Sequence, residues 1–98
     1  MLDTRNALPA GYILENNKYG YIHFKNEIGR GSSCIVYDAY YMDSSDLIHR
    51  IRIKECYPYY MDIAREKSGK LEIPDSVISA FENEKEQFYE AYRKNVEI

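Results

Sequence analysis

Tryptophan is absent from the 98 residues, proline occurs three times and cysteine twice. Two cysteines, Cys34 and Cys56, are too few for a disulfide framework or a zinc site. No apolar run approaches the length of about 18 residues that a membrane-spanning helix needs. The first nine residues, from Met1 to Pro9, lack the basic region and apolar stretch of a secretory signal. Both thiols are therefore expected to be free, in a reducing cytoplasmic setting. Basic residues are also in deficit: 13 Lys and Arg against 16 Asp and Glu give a net charge of −3. A nucleic-acid-binding surface calls for the opposite balance, so nucleic acid is excluded as the expected partner. Internal repeats and low-complexity tracts are absent as well.

What is present is an ordinary globular balance, 45% apolar and 30% charged. The length suits one small domain with a thin core. Tyrosine is abundant, at 11 residues. Its ring packs in half-buried strands while its hydroxyl stays wet, so the tyrosines read as structural.

Residues 1–10 lack periodicity and read as a flexible tail. A short apolar stretch at about 12–15 closes on Asn16-Asn17-Lys18, a turn signal. Residues 21–28 alternate: Ile22, Phe24 and Ile28 on one face, Tyr21, His23, Lys25 and Glu27 on the other. After Gly29-Arg30-Gly31-Ser32-Ser33, residues 34–41 form a second β-rich run, hairpinned to the first. A third strand is expected at 47–55, ended by Pro58, which has no N–H for a ladder. Residues 59–75 read as irregular, with a turn at Ser68-Gly69. The clearest helix covers about 76–95, or starts a turn later if Ser79 to Glu82 forms a capping box. Its apolar stripe is Val77, Phe81, Phe88, Ala91 and Tyr92.

Three features carry chemistry. Paired glycines at 29 and 31 let backbone N–H groups approach an anion such as phosphate, although a Gly-x-Gly hairpin is often only a turn. In the strand Ile51-Arg52-Ile53-Lys54, period-two geometry puts the isoleucines on one face and Arg50, Arg52 and Lys54 on the other. On the helix, Glu84 falls at the edge of the apolar stripe, while Glu82, Glu86 and Glu90 fall on the solvent side. A carboxylate near an apolar face needs a partner. Lys54 is the natural candidate.

In this order the features resemble the amino-terminal lobe of protein kinases. The pieces are a Gly-x-Gly-x-x-x-x-Val turn, a strand ending in Ile-Lys and a helix with an inward Glu. Bacterial serine/threonine kinases are similar in further detail, at Leu8-Pro9-Ala10-Gly11, Val36-Tyr37-Asp38-Ala39, Ile53-Lys54-Glu55-Cys56-Tyr57-Pro58 and Arg65. The resemblance runs from about Leu8 to Val96. It implies that Gly29, Gly31 and Val36 cover a nucleotide, that Lys54 holds its phosphates and that Glu84 orients Lys54. ATP with magnesium is the implied cofactor of a full-length protein with a protein substrate, and the fragment itself requires none.

Three departures stand out. Cys34 occupies the third glycine position, behind Ser32 and Ser33. Arg52 stands where active kinases usually carry a small residue under adenine. The family's catalytic-loop Asp and Asn and its Asp-Phe-Gly metal site have no counterpart in these residues, so the chain is expected to be inactive alone.

The expected fold is α+β. It has a twisted antiparallel three-strand meander, with a short extra N-terminal strand, and one long C-terminal helix packed on the sheet, over residues 11–98. An open sheet edge or apolar face invites dimerisation. A pseudokinase or interaction module, and an unrelated small α+β domain, stay open as alternatives.

Overall fold

The computed structural model describes the backbone of residues 3–96 and the side chains of residues 3–88. The fold is α+β, a four-strand antiparallel meander with a single long C-terminal helix. The strands are β1 (Ile13–Asn16), β2 (Gly20–Arg30), β3 (Cys34–Met42) and β4 (Ile48–Cys56), in the order β1-β2-β3-β4. The extra N-terminal strand is therefore real. β1 pairs with β2 through a tight turn in which the Asn16 side chain accepts from the N–H groups of Lys18 and Tyr19, at 2.8 and 3.0 Å. Gly20 follows at φ 75°, a left-handed conformation that glycine adopts without cost.

The chain splits into two compact units. One, the sheet unit, comprises Ala7–Arg30 and Ile35–Glu55. The other, the helix unit, comprises residues 3–6, 31–34 and 56–96.

In the sheet unit the alternation of β3 decides the core. Ile35, Tyr37 and Ala39 are fully buried, and Ile22, Phe24 and Leu8 pack with them. The Phe24 ring meets Tyr37 and Tyr12 edge-on, at centroid distances of 5.2 and 5.6 Å. The Tyr37 hydroxyl accepts from the Leu8 N–H at 3.0 Å and donates to Glu55 at 2.8 Å, so its burial leaves no polar atom unsatisfied.

Ile28 departs from the expected pattern. It was placed on the core face with Ile22 and Phe24, yet it is 49% exposed. β2 gains on β3 twice: Phe24 pairs with Ala39, then Glu27 with Tyr37, then Gly29 with Val36. Each irregularity adds a residue to β2, and between them the alternation inverts. Ile28 lies in that interval and turns to the outer face.

The helix unit contains a short hairpin in the segment expected to be irregular. β5 (Ala64–Arg65) pairs with β6 (Leu71–Glu72), turning at Gly69, whose N–H donates to Glu66. A 3-10 turn at Asp75–Val77 leads into α1 (Ile78–Val96). Ser79 lies inside α1 and not at its cap, so no capping box forms there. Phe81 is buried and Phe88 half-buried on the predicted stripe. Ala91 and Tyr92 lie outside the described side chains.

Within the segment expected to be a flexible tail, the described residues Arg5 and Leu8 are buried. Leu8 enters the sheet unit's core and Arg5 is 7% exposed. The lack of periodicity that suggested a tail reflects an irregular backbone held by side chains, which alternation cannot reveal.

Candidate functional site

Two groups of residues carry the chemistry, one in each unit. In the sheet unit, Gly29 pairs with Val36 across β2 and β3, as hairpin strands joined by the glycine turn must. On β4, Arg50, Arg52 and Lys54 are exposed while Ile51 and Ile53 are half-buried, so the predicted two faces hold. The outer face carries an open cleft of about 510 Å³ lined by Ile28, Asp38, Arg50, Ile51 and Arg52. Asp38 pairs with Arg50 at 3.3 Å across this face. Within the sheet unit, Arg52 and Lys54 make neither an ion pair nor a side-chain hydrogen bond.

The glycines of the turn are informative for what they do not need. Left-handed backbone occurs at Gly11, Gly20 and Gly69, but at neither Gly29 nor Gly31. A Cβ added to Gly29 would meet nothing within 4 Å, and at Gly31 it would touch only the Cys34 Sγ, at 3.7 Å. Neither backbone conformation nor packing demands glycine at these two positions.

In the helix unit the tip of the turn, Gly31–Cys34, is tied down from two sides. Its Ser33 and Ser32 carbonyls accept from the Tyr57 and Tyr59 N–H groups at 2.8 and 3.2 Å. Arg5 supplies the second anchor. Its guanidinium donates to the carbonyls of Gly31 (2.9 Å), Cys34 (3.2 Å) and Tyr57 (2.6 Å), and pairs with the Asp3 carboxylate at 2.6 Å. Tyr57 is buried between two guanidinium groups, Arg5 at 5.9 Å and Arg65 at 5.2 Å from its ring. Arg65 also donates to the Asn6 and Gly69 carbonyls. Nothing in the sequence singled out Arg5, because a lone arginine in an aperiodic segment carries no pattern.

Glu84 sits on α1 as its helical phase predicts, half-buried beside Phe81, while Glu82 and Glu86 are exposed. The Glu90 side chain lies outside the described residues. Within the helix unit the partners of the Glu84 carboxylate are Ser33, donating at 3.0 Å, and Tyr60, whose hydroxyl also donates to it. Tyr60 had no recognisable signal in the sequence. The bond to Glu84 raises the Tyr60 pKa above the ordinary tyrosine value, because an ionised phenol beside a carboxylate loses the bond and gains repulsion.

Cys34 and Cys56 form no disulfide and are half-buried. Among the described residues, no group of three or more His, Cys, Asp or Glu is placed to hold a metal ion. Among them, too, no helix is long and apolar enough to cross a membrane. No protein-family model, curated protein or solved structure matches this chain.

Proposed function

We propose that this chain is the nucleotide-binding lobe of a serine/threonine protein kinase, inactive by itself and part of an ATP- and magnesium-dependent phosphotransferase acting on protein. Gly29 and Gly31 let the turn approach the phosphates, and Val36 packs against the base. Lys54 holds the phosphates, and the kinase resemblance assigns its orientation to Glu84. The observation that carries the reading is the glycine pair. Neither residue meets a steric or conformational demand for glycine, and close approach of a ligand would give both a reason to lack a side chain. The outer-face cleft beside Lys54's strand supports it, as do two cysteines outside any disulfide, which suit a cytoplasmic setting. Thermal denaturation with increasing magnesium–ATP tests the reading. Stabilisation of the wild-type chain that Lys54→Ala abolishes is expected, and no stabilisation at millimolar nucleotide defeats it.

Arg52 favours a second reading, an interaction module that keeps the lobe without phosphotransfer, since its long side chain lines the cleft where a base would lie. β4 is an outer strand of the sheet, with Leu47 and Ile48 exposed at its start, and strand pairing there would make the isolated chain dimerise. Light scattering at high concentration distinguishes a dimer from a monomer.

A further inference from the structure

The outer face of the sheet unit carries three exposed cations from β4 in a chain of net charge −3. Of its three β4 cations, Arg50 is already neutralised by Asp38 at 3.3 Å. Arg52 and Lys54 have no ion-pair partner within the unit. Residues two apart on a strand place their Cα atoms about 6.6 Å apart on one face, so these two side chains can close on a single polyanion. An arginine is suited to that task, because its planar fork donates to two phosphate oxygens at once.

The cleft beside them, at about 510 Å³, falls in the range of small-molecule sites. Of its lining residues Ile28 is the apolar side chain on this face, and it is there because the two β2 irregularities turned it outward. The described lining has no aromatic ring to stack on a base and no side-chain amide to read its edge. Its one carboxylate, Asp38, is engaged with Arg50.

We infer that Arg52 is a ligand-binding residue that acts with Lys54 on a polyphosphate, so that the site selects the phosphate chain and is indifferent to the base attached to it. This deepens the nucleotide-binding reading and rests on it. A base rests on the Ile28 shelf without a specific hydrogen bond, while the guanidinium and ammonium hold the charge.

The test is a set of equilibrium titrations of the whole chain with ATP, GTP and inorganic tripolyphosphate, each with and without magnesium. The wild type is compared with Arg52→Ala, Arg52→Lys and Arg50→Ala. Arg52 is exposed on a strand, so circular dichroism is expected to be unchanged in each variant. The inference requires that ATP and GTP bind within about threefold of each other, the scale of a site lacking base-specific bonds. Tripolyphosphate must bind comparably. Arg52→Ala should weaken all three by about tenfold, the scale of one charge-assisted hydrogen bond, Arg52→Lys should recover part of the loss, and Arg50→Ala should weaken all three as well, because it leaves the Asp38 carboxylate uncompensated beside the phosphates. ATP binding that survives Arg52→Ala, with GTP and tripolyphosphate much weaker, overturns the inference and leaves the nucleotide reading intact. Binding of tripolyphosphate without either nucleotide defeats the nucleotide reading and keeps the anion site. Failure of all three ligands to bind overturns both.

Discussion

Replacing Arg5 with alanine removes a buried guanidinium that donates to three backbone carbonyls and one carboxylate. The magnitude follows from what each acceptor does afterwards. The Tyr57 carbonyl belongs to a residue only 1% exposed and has little access to water. A buried acceptor left without a donor costs about 1–3 kcal/mol. The Gly31 and Cys34 carbonyls sit at a partly exposed turn and recover much of their loss by hydration. The Asp3 side chain is 34% exposed and rehydrates too, so the full penalty for breaking a buried ion pair does not apply. The ring contacts to Tyr57 and Tyr59, at 5.9 and 5.7 Å, lie near the outer limit for such interactions and add little. The expected loss is about 2–4 kcal/mol, a large part of the roughly 5–15 kcal/mol that holds a domain of this length together. Urea unfolding followed by circular dichroism reads it as a lower midpoint at unchanged slope. Amide exchange at Gly31–Cys34 should accelerate in the same variant, and Arg5→Lys, which cannot reach three carbonyls at once, should recover only part of the stability. A loss below about 1 kcal/mol, within the ordinary surface range, together with unchanged exchange at the turn, would refute the anchoring argument.

Gly29→Ala and Gly31→Ala are expected to be neutral or stabilising by about 0.4–1 kcal/mol, since alanine fits both conformations and restricts the unfolded chain, while weakening nucleotide binding; denaturation and ligand titration on the same samples check both halves. Tyr37→Phe should cost about 1–3 kcal/mol by leaving the Leu8 N–H and the Glu55 carboxylate without their shared partner, measured by urea unfolding. Tyr60 titrates above the ordinary tyrosine value when folded, so its linked stabilisation is present below that value and is lost as pH rises through the folded pKa. Glu84→Gln should bring that titration down, seen as the difference in ultraviolet absorbance against a Tyr60→Phe reference.

Much of the sheet was legible from the alternation at 21–28 and from the β-branched and aromatic residues of 34–41, which form β2 and β3; that Ile35, Tyr37 and Ala39 would be the buried face was not, because apolar residues stand on both faces of β3. The two faces of β4 and the phase of Glu84 on α1 followed from the same kind of periodicity. Ile28 was misplaced because a bulge inverts alternation without leaving any mark in composition. Arg5 and Tyr60 were missed for a different reason. Their partners lie 52 and 24 residues away in sequence, at Tyr57 and Glu84, and contacts of that range follow from the tertiary fold. The division into two units was hidden because chain length bounds the number of domains but does not show how segments such as 3–6, 31–34 and 56–96 gather.

The central proposal is that the sheet unit, through Gly29, Val36 and the outer face of β4, binds a nucleotide. Amide chemical-shift mapping during a magnesium–ATP titration tests it most directly. The account predicts saturable shifts at Gly29, Gly31 and Val36 and at Arg52 through Lys54, all lost in Lys54→Ala. Absence of shifts at millimolar nucleotide, or shifts confined to residues outside these two segments, would contradict it.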